Sequence, residues 1–262
     1  MADGAARAAS RSVGVKTVPL AAVMRWLALG WHDLARRPLP ALLHGAAFAA
    51  FGLVLLWGAR DRFWLLAGAF SGMLLVAPVL ATGLYAISRS LERGERAGLA
   101  TALAAWQPRD GRLVGFGLLL ALAGTGWVLT SAALITAFAE TPVRNPADFL
   151  HGVVLNSDST LFASWLLLGG VLAAPVFASS VVAIPLLLDR RIGVLAAVLA
   201  SWRAVAANPA PLALWAAVIG ALTLLAMATA MLGLVVVVPW LGHASWHAYR
   251  DLVDRTAPAP AN

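Results

Sequence analysis

The chain of 262 residues is 61% hydrophobic and 12% charged. Soluble domains use roughly 25% charged residues, so an ordinary water-soluble fold is excluded. It has no Cys, which removes disulfides, thiolate metal sites and thiol catalysis, and its formal charge of +7 rests on arginine, Lys16 being the one lysine. On a membrane protein such an excess reports orientation and headgroup contact, and no basic run interleaved with aromatics outside the apolar segments points to nucleic acid as a partner.

In chain order, residues 1–18 are small, polar and basic, with Arg7, Arg11 and Lys16 and no apolar core of a cleavable signal peptide, so a disordered tail is expected. Met24, Leu27 and Trp31 then recur at spacings of three and four, which puts them on one face of a short amphipathic helix. Leu99, Leu103 and Trp106 repeat the pattern, as do Leu195, Leu199 and Trp202. Such helices suit the headgroup region, where the Trp ring and its N–H are both accommodated.

Five stretches lack Asp, Glu, Lys and Arg altogether: Leu39–Gly58, Phe63–Ser88, Leu113–Phe138, Leu161–Leu188 and Pro209–Tyr249. A membrane-spanning helix needs about 20 apolar residues, because every backbone polar group must be bonded within its own segment across a core about 30 Å thick. The first four stretches, of 20, 26, 26 and 28 residues, fit one crossing each; the fifth, of 41, fits two helices joined by a turn near Ala226–Gly233. The expectation is an all-α transmembrane bundle of six crossings. The segment 139–160, with Glu140, Asp148, Asp158 and Arg144, is too short for a domain and reads as a solvated connector, with a lid or a periplasmic contact as the functional alternative. Residues 256–262 form a second loose end.

With six crossings, the N-terminal segment and the loops 89–112, 189–208 and 250–262 share one side and hold sixteen of the nineteen Lys and Arg, leaving Arg60, Arg62 and Arg144 for the other. The positive-inside rule makes the first side cytoplasmic, with both termini.

Displacing the chain by 97 positions superimposes Ala77–Ala81 on Ala174–Ala178 and Leu91-Glu92-Arg93 on Leu188-Asp189-Arg190; a displacement of 161 aligns Pro78 with Pro239 and Arg89 with Arg250. The economical architecture is one transmembrane domain, 19–255, of three tandem units, approximately 19–94, 95–191 and 192–255. Each is an interfacial helix followed by a transmembrane hairpin, and the units are parallel about an axis along the membrane normal. The first and third interfacial helices end alike, Trp31 to Pro38 and Trp202 to Pro209, with Pro suited to the first turn of the next helix.

Three segments, Trp31–Pro38, Gly83–Gly94 and Leu241–Arg250, resemble a bacterial family of predicted integral membrane proteins, the domain of unknown function 2189. The resemblance runs over roughly residues 20–255 and implies a bacterial inner-membrane location. The family has no established activity, so it transfers no catalytic residues.

The ionisable groups within the apolar stretches are His44, His243 and His247. All three would lie within about 10 Å of the cytoplasmic face. His243 and His247 are four apart on one helical face and Asp251 follows by four more, an arrangement suited to a metal, an axial haem contact or a proton relay. Without a third fixed ligand the signal is weak, and hydrogen bonding between helices is the expected role; no cofactor or metal is expected.

The repeat register also places Thr82, Ser179 and His243 four residues after Pro78, Pro175 and Pro239, with Ser180 adjacent. A hydroxyl near a proline kink compensates the carbonyl that the proline leaves unpaired. The sharper alternative is a polar cavity lined by Thr82, Ser179, Ser180 and His243. Gly68-x-x-x-Gly72 and Gly111-x-x-x-Gly115 read as positions of close helix packing.

No GxSxG elbow, phosphate-binding loop or HExxH occurs, and no carboxylate lies within the apolar stretches. The expected protein is therefore not an enzyme but a membrane protein that supports membrane or envelope complexes, with lipids and other membrane proteins or further copies of itself as partners. The alternatives are a small-solute or lipid transporter or channel, and a haem or metal protein.

Overall fold

The computed structural model describes residues 13–58, 68, 69, 73, 77, 79–105, 111–156 and 160–254. These are almost entirely helical. The chain runs α1 (Ala22–Arg36), α2 (Pro38–Gly58), α3 (Thr82–Glu92), α4 (Leu99–Ala105), α5 (Gly111–Phe138), the short α6 (Pro146–Phe149) leading into a π-turn (Leu150–Val154), α7 (Leu161–Ser180), α8 (Ala183–Asp189), α9 (Val194–Ala207), α10 (Pro209–Ala228) and α11 (Leu234–Leu252). Among the described residues, four helical segments are long and apolar enough to cross a membrane: Pro38–Gly58, Gly111–Phe138, Leu161–Asp189 and Pro209–Ala228. Most of the second charge-free stretch lies outside the described residues, and α3 is its described end.

Contacts divide the chain into two units. The first comprises Met1–Ala49, Pro78–Phe116 and Phe177–Asn262. Its centre is the pairing of α1 with α11. Helix α1 buries Val23, Trp26, Leu27, Gly30 and Leu34, one stripe at helical period. Gly30 permits the approach, because a Cβ there would stand 2.6 Å from the backbone nitrogen of Ala244. Trp240 donates its indole N–H to the Leu27 carbonyl at 2.8 Å, and the rings of Trp26 and Trp215 meet edge to face at 5.7 Å. Helices α3, α8 and α11 pack on one another.

Helix α1 ends at Arg37 (φ −136°, ψ 64°) and α9 at Asn208 (φ −135°, ψ 53°), nearly the same backbone conformation. Each residue precedes a proline, whose ring disfavours helical geometry at the position before it and then starts the next helix without needing an N–H.

The fifth charge-free stretch folds as α10 and α11, joined by residues 229–233, inside the expected window. The turn is tight enough to put Ala230 (φ 50°) and Met231 (φ 67°) in left-handed conformation, costly for residues with a Cβ. Thr229 secures it: its hydroxyl donates to the Ala226 carbonyl and accepts the Gly233 N–H, both at 2.8 Å. The fourth stretch breaks between α7 and α8, where the freed N–H of Val182 donates to the buried Ser201 hydroxyl at 3.1 Å.

Residues 13–18, expected within the loose tail, run extended beside the end of α11. Val15 bridges Val253, Lys16 N–H donates to the Leu252 carbonyl and Asp254 N–H to that of Gly14. The buried Asn208 accepts from Val18 N–H and donates to the carbonyls of Lys16 and Ala204. The expected disorder of residues 1–12 and 256–262 concerns segments outside the described residues.

The second unit comprises Ala50–Ala77 and Gly117–Val176. Its connector is more than a solvated link. Asn145 and Asp148 form a reciprocal capping box at the start of α6, and Val143 and Val153 pack with Ile135 and Leu161 in a small core edged by Phe149, Phe162 and Trp165. Trp165 also donates to the Ser131 hydroxyl at 2.6 Å. In the first unit, a Cβ on Gly111 or Gly115 would meet nothing within 4 Å among the described residues, whereas tight approaches fall at Gly30, Gly45, Gly83, Gly233 and Gly242.

Candidate functional site

The first unit holds a buried polar chain built from three helices. Asp33 of α1 accepts from the Ser88 hydroxyl of α3 at 2.7 Å and pairs with Nε2 of His247 on α11 at 2.8 Å. Ser88 Oγ also lies 2.7 Å from Nδ1 of His243, one turn before His247. Because the Ser88 proton is directed to Asp33, its oxygen must accept from His243, which assigns the His243 proton to Nδ1 and leaves a lone pair on Nε2. That Nε2 is fully buried and has no hydrogen-bond partner among the described residues. His44 of α2 is buried nearby, its ring 2.9 Å from where a Cβ on Gly83 would stand. Burial raises the Asp33 carboxyl, but the hydrogen bonds from His247 and Ser88 and the electrostatic attraction to His247 outweigh it and hold it below its ordinary value of 3.8.

The carboxylate of this chain is Asp33 rather than Asp251. The Asp251 carboxylate is taken by the side chains of Arg25 and Trp26, the latter at 2.6 Å, which ties the other end of α1 to α11. Sequence spacing cannot find a partner more than 200 residues away. The available signal was that Asp33, Ser88, His243 and His247 all fall within the three segments that carry the family resemblance.

The hydroxyls proposed for a cavity have nearer partners. Thr82 donates to the Val79 carbonyl at 2.7 Å and Ser180 to that of Phe177 at 3.3 Å, the local compensation a bent helix calls for. Ser179 accepts from the Trp202 indole at 2.9 Å. Pro175 and Pro239 lie inside α7 and α11, while Pro78 and Trp106 fall outside the described residues. Trp31 and Trp202 are both about half exposed, Trp31 packing edge to face on Trp240.

A cavity of about 380 Å³ opens where α3, α8 and α11 end, lined by Arg89, Glu92, Arg93, Asp189, Arg190 and Arg250. Arg250 bridges Glu92 (2.9 Å) and Asp189 (3.3 Å), and Asp189 also accepts from the Tyr249 hydroxyl at 2.7 Å. Arg89 holds the Leu188 carbonyl at 2.9 Å and Arg190 that of Asp254 at 2.8 Å. All six of these residues were among those aligned by the internal displacements, so their sequence signal was present while their meeting was not.

Residues 65–189 match the family DUF2189, predicted integral membrane protein. The family read from the sequence is the family found. With its apolar helices, the chain is an integral, multi-pass membrane protein. Searches of curated proteins and of solved structures return no match. Of the three segments carrying the resemblance, Gly83–Gly94 lies inside the matched region and the other two outside it.

Proposed function

We propose that this is a non-enzymatic protein of a bacterial cytoplasmic membrane, crossing it six times in three tandem hairpins with both termini in the cytoplasm, that organises membrane or envelope complexes through lipid and protein contacts. One observation carries the reading. Helices α4 and α9 are packed inside out by the standard of a soluble protein: α9 buries Ala197, Ala200, Ser201 and Ala204 and turns Leu195, Leu199 and Trp202 outward, while α4 buries Ala102 and exposes Leu99 and Leu103. Small residues inward and large apolar residues outward lower the free energy only where the outer medium is itself apolar. Arg191 and Arg203 flank the outward face of α9, as the boundary with anionic headgroups favours.

The chain lacks cysteine, so single-cysteine labelling tests the reading directly. A spin label at Leu195→Cys or Leu199→Cys should be relaxed by oxygen and shielded from a water-soluble relaxant, and Arg144→Cys should react with an impermeant maleimide in intact cells while Arg36→Cys does not. Labels on α9 open to the aqueous relaxant would overturn the interfacial placement. Reversed maleimide reactivity would overturn the orientation.

A transporter built around the Pro-bent helices is the second reading, favoured by the buried, unpartnered Nε2 of His243. Solute flux into liposomes that is lost in His243→Ala would support it. A haem or metal protein draws less support, since among the described residues no group of three His, Asp or Glu could hold a metal ion.

A further inference from the structure

We propose that the cavity at the ends of α3, α8 and α11 binds the phosphate group of an anionic ligand. Four guanidiniums face two carboxylates there, and the carboxylates are already engaged: Glu92 by Arg250, Asp189 by Arg250 and Tyr249. The surplus of two positive charges matches a phosphate ester carrying one to two negative charges.

The geometry is prearranged. Arg89 and Arg190 spend one donor each on a backbone carbonyl, which fixes the fork and leaves further N–H groups for a tetrahedral oxyanion. Arg93 is half exposed and lies 3.8 Å from Asp189, too far for a tight pair, so its charge is the one most available to an incoming ligand. Arg250 is anchored on three sides, by Glu92, by Asp189 and by the face of Trp246 at 5.7 Å. At about 380 Å³ the cavity falls at the small end of ordinary ligand sites.

Depth selects between two sources of such a phosphate. Asp189 is the last residue of the apolar segment Leu161–Asp189, which sets the cavity at the boundary where lipid headgroups lie. This step rests on the membrane placement proposed above. The charge and donor geometry do not, and a free phosphate shares the same chemistry.

The test uses the full chain in two arms. In the first, the protein is exchanged into nanodiscs of phosphatidylcholine with a minor fraction of phosphatidylglycerol, released, and read for retained lipid by native mass spectrometry. In the second, inorganic phosphate is titrated against the thermal unfolding of the detergent-solubilised protein. The wild type should retain phosphatidylglycerol over phosphatidylcholine, and Arg93→Gln should weaken that retention about tenfold, the size expected for one charge-assisted contact. Arg36→Gln, an exposed arginine at the end of α1 outside the cavity, should leave it unchanged. Arg93→Gln touches only the 3.8 Å pair and should fold normally; Arg89→Lys, which keeps the charge and loses the fork, serves as the second variant. Stabilisation by phosphate that Arg93→Gln abolishes, without lipid retention, assigns the site to a soluble phosphate. Equal losses in Arg93→Gln and Arg36→Gln reduce the effect to bulk surface charge and overturn the proposal, as does no response in either arm. If the α9 spin labels prove aqueous while phosphate still stabilises the wild type selectively, the membrane placement fails and the site survives.

Discussion

His247→Ala is the sharpest perturbation of the buried polar chain. The imidazole pairs with a carboxylate only 5% exposed, and its removal leaves Asp33 with the Ser88 hydroxyl alone. Removing one partner of a buried charged pair costs about 3–5 kcal/mol, and an exposed pair about 0–1. The His247 side chain is 18% exposed, so water reaches one end and a loss of about 2–3 kcal/mol is expected. The double variant Asp33→Asn/His247→Ala removes the stranded charge and should cost less than the sum of its singles by about 1.5 kcal/mol. Unfolding of the detergent-solubilised protein by increasing mole fraction of SDS, followed by far-UV circular dichroism, gives all four corners of the cycle. A His247→Ala loss under about 0.5 kcal/mol, or an additive double variant, would refute the assignment of Asp33 and His247 as the clamp between α1 and α11.

The same carboxylate fixes an acid limb. The Asp33 group lies below its ordinary value of 3.8 in the folded protein, so its contribution is complete above that value and is lost as pH falls through the folded one. Wild type should therefore lose stability below about pH 4 by an increment that Asp33→Asn, already lacking the charge, does not show. Equal acid slopes in the two proteins would contradict it.

Three further outcomes follow from the packing. Gly30→Ala drives a Cβ into the backbone of Ala244 and should destabilise by about 1–3 kcal/mol, whereas Gly115→Ala meets no atom of the described residues within 4 Å and should be neutral or stabilising by up to about 1 kcal/mol; the same SDS titration compares them. Ser201→Ala strands the Val182 N–H at the break between α7 and α8 and should cost about 1–3 kcal/mol, read by thermal unfolding. Asn208→Ala removes three hydrogen bonds holding residues 16–18 and 204, so hydrogen exchange at Val18 should rise at least tenfold while exchange in α10 stays unchanged.

Much of the architecture was legible because the bilayer imposes a simple rule. Absence of charge over about 20 residues can be read directly, and so can its doubling between Pro209 and Tyr249, which folds as α10, a five-residue turn and α11. Prolines 38 and 209 marked helix starts for a local reason, the geometry they impose on the preceding residue. What escaped the sequence was long-range. Val13–Val18 look like tail by composition, yet their backbone groups find partners at Leu252, Asp254 and Asn208. The histidine pair invited the local carboxylate Asp251, while the fold supplies Asp33 and gives Asp251 to Arg25 and Trp26. A spacing of four residues reports what one helix can do alone, and α1 was not on that helix.

The exposed and buried faces of the short helices resolve a conflict that hydrophobic periodicity leaves open. A stripe such as Met24, Leu27, Trp31 is read in a soluble protein as the side turned inward, and in α1 the stripe is split: Leu27 is buried against α11 while Met24 and Trp31 stay outside. In α9 the large apolar residues are all outside and alanines make the contact. Periodicity gives the existence of an amphipathic face, but the identity of its solvent depends on what fills the opposite face. Alanine and glycine inward give close backbone approach, which the Gly30 and Ala244 contact requires. The outward leucines and tryptophans then need an apolar medium, and the buried chain from Asp33 to His243 needs a rigid seat for α1. Helices clamped to one another by small residues and by that polar chain meet both needs, and the arginine cavity lies where the apolar segment Leu161–Asp189 ends.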